Sequence, residues 1–424
     1  MTGNIFQPII EYYLQIKMAV SATWWFVFPV ALYYTFYELY WRQLWRDYSS
    51  TLKWTVLEIK PPRNIERSPR TMEQIFTVLH GIWSTPNYFD MYFQGRFFQS
   101  IFSFEIQGVN GEMHFYIRTE SRYRNLIESA VYSQYPEAEI EEAEDYANSV
   151  PSNIPNPEWN MWGTDYKLAK DDAFPIRTYH KFQEEVTKGM IEPLAPLADV
   201  ITTLPPGHQI WLQILVRPVK DKEWAPEVKK IVAKLANREI KNESWAIAHF
   251  FTEAVDILVS SMKNIFGPVE EKKEEKKDEP PLQFRLTPTE KDVLQAVEES
   301  LNKKAFRTKL RLLYVAPRES FKKVFYQAPD GFTHQFGDPN LNSFTKDNET
   351  KTYANYWFRA YRMKWAQRKI FRRYITRDND GPNMYLNTEE LATIWHLPDM
   401  SAMSPAIAHI EAKKSGAPLN LPVE

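Results

Sequence analysis

Between Met18 and Leu44 the chain reads MAVSATWWFVFPVALYYTFYELYWRQL, and no other stretch restricts the possible folds as strongly. From Ala19 to Tyr40 it carries one charged residue, Glu38, and about 20 apolar residues in a helix cross the hydrocarbon core of a bilayer. Trp24 and Trp25 near one end, and Tyr40, Trp41 and Trp45 at the other, have the placing of interfacial aromatic belts. Pro29 is tolerated in such a helix because neighbouring groups re-satisfy the freed backbone. The N-terminal region is not basic and no small-residue cleavage site follows, which argues against a signal peptide. Arg42, Arg46 and Lys53 after the segment outweigh Lys17 before it, so the positive-inside tendency puts the C-terminal bulk in the cytoplasm. The expectation is a short segment 1–17, then a single-pass anchor over 18–46 in the cell membrane. The competing reading is a buried core helix.

The 424 residues after and around this segment are enough for two domains with sizeable cores. Cysteine is absent, which excludes disulfides and thiolate chemistry. The formal net charge is −2, so the molecule as a whole is no polyanion binder, although a local patch can be.

The fold class expected is α+β. Thr55–Lys60 alternates as a strand, and a helix should run from Pro69 to Ile82 with Met72, Ile75, Phe76 and Leu79 on one face. SIFSFEIQG and EMHFYIRTE flank Asn110-Gly111, a strong hairpin signal. A helix over Arg122–Ser133 and a strand in AEIEEAED complete β-α-β-β-α-β, the ferredoxin-like arrangement, over 54–150. A linker with Pro151, Pro155 and Pro157 leads to a second α+β domain over 161–345. Its expected elements are a strand near Tyr166, a helix at Leu194–Leu204, the strand His208–Val216 and a helix at Pro226–Asn237. Leu282–Leu286, a helix at Thr289–Leu301 and the strand Lys309–Val315 follow. This domain is interrupted by an amphipathic helix, 244–266, and a charged linker, 267–281. His249, Glu253, Asp256, Ser260 and Lys263 give that helix a polar stripe, suited to the membrane interface or to packing on protein.

Catalytic motifs are lacking: there is no phosphate loop, no GxGxxG, no GxSxG and no HExxH. The acidic run Glu137, Glu139, Glu141, Glu142, Glu144 and Asp145 fits a solvated edge strand, and His114 and His249 fit structural roles. No catalytic, cofactor-binding or metal residue is assigned. One run points to binding. Over 353–378 a helix should carry Arg362, Arg368, Lys369, Arg372 and Arg373 with Trp365, and no acidic residue lies between Trp357 and Arg377. Arginines interleaved with rings suit phosphates and bases or an anionic lipid surface. The alternative has the aromatic stripe Trp357, Tyr361 and Trp365, with Phe371 and Tyr374 further on, packed on the domain while the arginines stay solvated or pair with the acidic strand.

The segment 386–424 starts with a capping box, Asn387 and Glu390, and a short helix to Trp395, stopped at His396-Leu397-Pro398. An extended strip with Leu419 and Pro422 follows, with too few apolar residues for a core of its own. The two readings are a frayed end and a docking segment.

LEIKPP (Leu57–Pro62), SPRTMEQIFTVLHGI (Ser68–Ile82), the stretch Phe115–Tyr146 and the tail LNTEELATIWHLP…PLNLP together resemble a family of membrane-anchored proteins of Patescibacteria. That family is related to type IV secretion and conjugative DNA-transfer components. In its longer members a tail like this one leads into a hexameric HerA/FtsK-type ATPase domain. The resemblance implies a non-enzymatic, membrane-anchored scaffold that docks a separate ATPase of that type. Its docking residues would be Asn387, Glu390, Trp395, His396, Pro398, Leu419 and Pro422. The implied partners are the bilayer, the ATPase, DNA and further copies of the chain; a membrane-tethered nucleic-acid-binding module is the alternative.

Overall fold

A computed structural model describes residues 7–62, 68–94, 99–182, 192–235, 287–354, 357–379 and 381–398. The expected helix 244–266, the linker 267–281 and the tail beyond Pro398 lie outside the described residues. The described residues form two compact units: 7–54 with 84–94, 99–100 and 120–122, and the remainder.

The first unit contains α1 (Gln7–Thr51) and α3 (Tyr88–Gln94). α1 runs through Pro29 without a break in the helix. Its side chains from Ser21 to Tyr40 are exposed on every face. Tyr40 donates from its hydroxyl to the Tyr92 carbonyl at 2.9 Å, and Trp41 packs on the Tyr92 ring, which joins α1 to α3. Among the described residues no helix is long and apolar enough to cross a membrane. Trp24, Trp25, Tyr33, Tyr34, Tyr37 and Tyr40 lower the hydropathy of the one stretch that has the length.

The second unit is α+β, built on one nine-stranded sheet. Its first half comprises β1 (Trp54–Lys60), α2 (Arg70–His80), β2 (Phe102–Val109), β3 (Glu112–Glu120), α4 (Arg124–Gln134) and β4 (Glu139–Ala143). β2 and β3 meet through Asn110 and Gly111, both at positive φ (53° and 84°), the two-residue turn whose twist matches a hairpin. The second half comprises β5 (Trp159–Leu168), α5 (Ala195–Thr202), β6 (Gln209–Pro218), α6 (Asp221–Leu235), α7 (Pro288–Leu301), β7 (Ala305–Pro317), α8 (Val324–Phe332) and β8 (Phe344–Lys346). Then come α9 (Arg359–Ile375), β9 (Met384–Asn387) and α10 (Thr388–Ile394).

The strand order is β4-β1-β3-β2-β6-β7-β5-β8, with β9 added on β7. Each half has the same internal order, outer strand first: fourth, first, third, second. The halves meet at their second strands, antiparallel from Phe102 opposite Val216 to Val109 opposite Gln209. The expected domains 54–150 and 161–345 thus both contribute strands to one continuous sheet. β2 and β6 are both buried along nearly their whole length, so neither serves as an edge.

Period-two alternation assigns each strand residue to one of two faces. Phe104, Phe115, Leu212, Ile214, Leu310 and Leu312 line the face covered by α2, α4, α5, α8 and α10. The other face is mixed. Tyr116, Trp211, Leu313 and Val315 pack against α9 there, while Glu105, Gln213, Arg311, Lys309 and Asp165 lie buried among them. A polar sheet face under a single helix is what positions the candidate site.

Candidate functional site

α9 buries Gln367, Ile370, Phe371 and Tyr374 on the mixed face of the sheet. Polar contacts fix its register. Gln367 donates to the Met161 carbonyl at 2.6 Å. Arg311, fully buried, donates to Asp165 at 2.7 Å and to the Arg373 carbonyl at 2.9 Å. Gln213 donates to the Tyr374 carbonyl at 3.2 Å. A cationic group at a helix C-terminus satisfies orphan carbonyls and matches the macrodipole.

The helix ends in a Schellman arrangement, Asp378 N–H to the Arg373 carbonyl and Arg377 N–H to the Tyr374 carbonyl. The left-handed position, ordinarily glycine, is Arg377 at φ 52°. A buried partner holds it there. Arg377 forms a two-pronged pair with Glu105, Nε and Nη2 each at 3.0 Å, and also reaches Asp145. Glu105 further accepts from Tyr146 at 2.7 Å, Gln213 at 3.0 Å and Ser103. Burial pushes the Glu105 carboxyl up, but the Arg377 charge and hydrogen bonds outweigh it and hold it down at about 2. Burial brings the Lys309 ammonium down to about 8. This network is a clamp for α9, and every ionised member of the Glu105–Arg377–Asp145 set has an opposite charge.

The outer face differs in kind. Tyr361, Trp365, Arg368 and Arg372, spaced four, three and four apart, share the side of α9 opposite the sheet. Trp357 is 86 % exposed, Tyr361 74 % and Trp365 57 %, with Phe358 and Tyr353 also exposed. Arg362, Lys364, Arg368 and Arg372 are exposed, and Lys369 and Arg373 are half-buried. Lys369 lies 4.9 Å from the centre of the Trp365 ring and Arg359 5.7 Å from that of Tyr353. Among the described residues no carboxylate pairs with Arg359, Arg362, Lys364, Arg368, Lys369 or Arg372. The alternative in which the helix packs its rings on the domain holds for Phe371 and Tyr374, buried beside Ile370, and not for Trp357, Tyr361 and Trp365, which stay exposed. The structure thus gathers the sequence-assigned Arg362, Trp365, Arg368 and Arg372 on one open face, with Lys369 at its margin and Arg373 turned toward the clamp.

The C-terminal assignment is corrected. The capping box forms as expected, with Asn387 Oδ1 accepting from Glu390 N–H at 3.0 Å and Glu390 from Asn387 N–H at 2.8 Å. Yet Asn387, Glu390, Trp395, His396 and Pro398 are buried. Trp395, 1 % exposed, packs on Phe104 and Phe115. His396 sits between the Ala392 carbonyl and Glu192. β9 pairs with β7, and Glu390 also accepts from Ile176 N–H at 2.9 Å. These residues complete the core of their own chain and are unavailable as a docking face. Burial pushes the Glu390 carboxyl up to about 7. Leu419 and Pro422 lie outside the described residues.

Trp24, Trp25, Pro29, Tyr40, Arg42 and Arg46 are exposed on α1, and Trp41 is half-buried against Tyr92. Of the acidic run, Glu139, Glu141 and Glu142 fall on edge strand β4, where Glu141 pairs with Lys60 at 2.6 Å and Glu142 with Arg124, while Asp145 lies beyond the strand and pairs with Arg377. His114 bonds Glu58 at 2.7 Å within the sheet. Among the described residues no group of three or more His, Asp or Glu is placed to hold a metal ion. Two features escaped the sequence reading. One is the exposed set Tyr88, Phe89 and Phe93 on α3, legible in hindsight as the aromatic run after Asn87. The other is the buried charge clamp, whose members are scattered from Glu105 to Arg377 and carry no joint signal.

The fold and this surface define an α+β protein with a long exposed aromatic helix and a cationic, ring-bearing helix on a polar sheet face. The profile of one family, described as a domain of unknown function (DUF8128), matches residues 43–409, and the chain belongs to that family. No curated protein matches the chain.

Proposed function

We propose that this protein is a non-enzymatic, membrane-tethered accessory subunit, single-pass, with its α+β body on the cytoplasmic side. The observation that carries the reading is the surface of α1. Fourteen large apolar or aromatic side chains from Met18 to Tyr40 stand exposed, and covering each is worth about 2 kcal/mol. A helix that is apolar all round requires an apolar surround. Ala19–Tyr40 spans about 33 Å at 1.5 Å per residue, close to the roughly 30 Å hydrocarbon core. Three polar groups within the stretch turn to the helix's own carbonyls: Ser21 donates to the Met18 carbonyl at 2.9 Å, Trp25 to Ala22 at 2.8 Å and Thr35 to Ala31 at 2.8 Å. Such local satisfaction is what a hydrocarbon surround demands. Its many rings lower mean hydropathy; Tyr40 and Trp41, at the end of the stretch, suit headgroup depth, and the exposed rings of α3 extend the same surface beside them.

Each four-stranded half of the body is read as a ferredoxin-like module, a scaffold that hosts many functions. Membership of a type IV secretion- or conjugation-like machine, and a hexameric HerA/FtsK-type ATPase as partner, are proposed on the resemblance of the sequence stretches quoted above. Because 387–398 is core, the ATPase contact is assigned to residues after Pro398. The test is flotation of the full chain with lipid vesicles after alkaline carbonate washing. Retention with lipid is expected; release into the wash overturns the tether. Loss of ATPase co-purification on deleting residues 399–424 is expected, and undiminished co-purification overturns that assignment.

A further inference from the structure

We infer that the outer face of α9 is a binding platform for single-stranded nucleic acid, with Arg362, Arg368 and Arg372 on phosphates and Tyr361 and Trp365 stacked on bases. Three observations converge. The cations of this face have no carboxylate partner among the described residues, in a chain whose net charge is −2. The local excess is therefore not a by-product of a basic protein. Second, Arg359 and Arg362 stand at the N-terminal end of the helix, which has no acidic residue in its first turn and no side-chain cap. The macrodipole is already positive there, so cations at this end cost stability unless an anion is bound. Third, the large apolar side chains exposed around α9 are all rings: Tyr353, Trp357, Phe358, Tyr361 and Trp365.

The third observation chooses the polyanion. A helix lying in a lipid interface buries an aliphatic and aromatic face and keeps its cations on the opposite one. Here rings and cations share one face in alternation, and the opposite face is occupied by the sheet. Rings interleaved with arginines along a groove or helix form a stacking platform for unpaired bases, sequence-tolerant because every base has a π-face. From Arg359 to Arg372 the helix runs about 20 Å, enough for several nucleotides. The Glu105–Arg377 pair and the Arg311 contacts hold α9 rigid from beneath, so its rings are presented without the cost of ordering a loop. The inference concerns the body alone and stands whether or not α1 enters a bilayer.

The experiment uses the full chain in neutral-lipid nanodiscs, titrated with fluorescent oligo-dT or oligo-U of about 15 nucleotides, within the usual site sizes. A duplex of the same length and phosphatidylglycerol vesicles are the comparisons. Saturable binding to either single strand is expected, and whichever is tighter identifies DNA or RNA. With about three phosphates engaged, the log–log salt slope should be near −2. Tyr361→Ala with Trp365→Ala should weaken binding about tenfold or more at unchanged salt slope. Arg368→Glu with Arg372→Glu should abolish it. All four positions are exposed, so the circular dichroism spectrum should stay unchanged in both variants. The inference is overturned by absence of single-strand binding at about 50 mM salt. It is equally overturned by duplex affinity matching the single strand with no effect of the ring variant, or by capture on phosphatidylglycerol vesicles without oligonucleotide binding.

Discussion

Replacing Glu105 by glutamine changes one charge and almost no volume, at a carboxylate that is fully buried and accepts five hydrogen bonds. The amide keeps one acceptor oxygen. Its NH2 group then faces donors, Arg377 and Tyr146 or Arg377, Gln213 and Ser103 according to its flip. Arg377 is left buried with Asp145 as its remaining carboxylate. Breaking a buried pair from one side costs about 3–5 kcal/mol. The pH dependence gives a second reading of the same number. Glu105 sits at about 2 in the fold against an ordinary 4.5. A depressed carboxylate contributes stability that is fully present above its unfolded value and lost as pH falls toward the folded one. The gap corresponds to about 3 kcal/mol at pH 7, shrinking to about 1 kcal/mol at pH 3. Urea midpoints read by far-ultraviolet circular dichroism, on the chain and Glu105→Gln in mild detergent, should therefore differ widely at pH 7 and converge toward pH 3. A difference under about 1 kcal/mol at pH 7, or one that does not change with pH, refutes an ionised clamp.

Trp395→Ala should destabilise the body by about 3–5 kcal/mol and lower its melting temperature. An unchanged melting temperature would mean that Trp395 is a surface residue, as a docking segment requires. A Cβ on Gly108 would lie 2.5 Å from Ile201 Cγ1, where β2 runs beneath α5. Gly108→Ala should cost about 1–3 kcal/mol by overpacking, and a double-mutant cycle should show that cost largely absent in an Ile201→Ala background.

Local patterns were legible in the sequence and long-range choices were not. Period two and Asn110-Gly111 marked β2 and β3, and the spacing of Met72, Ile75, Phe76 and Leu79 marked the buried face of α2, because in each case neighbouring residues set the geometry. The joining of β2 to β6 was hidden because it links positions about a hundred residues apart with no local signal. The repeat of strand order was hidden for a related reason. The two-residue turn between β2 and β3 corresponds to the long connection between β6 and β7. At α9 the spacing showed two stripes but not which one met the sheet. Trp357, Tyr361 and Trp365 stay exposed, while Ile370, Phe371 and Tyr374 pack with Trp211 and Gln367 bonds the Met161 carbonyl. The segment after Leu386 has too few apolar residues for its own core, and its cap and helix were read correctly. What it lacked was supplied by Phe104 and Phe115, far away in the chain.

The tether is tested most directly by placing a single reporter in α1, which the natural absence of cysteine allows without background. Leu32→Cys lies mid-way along the exposed apolar stretch, and Ser152→Cys on the exposed surface of the body serves as control. In inside-out membrane vesicles treated with a membrane-impermeant maleimide, Ser152→Cys should label at once. Leu32→Cys should stay unlabelled until detergent is added. Labelling of Leu32→Cys at the control rate without detergent would contradict the membrane-tethered account.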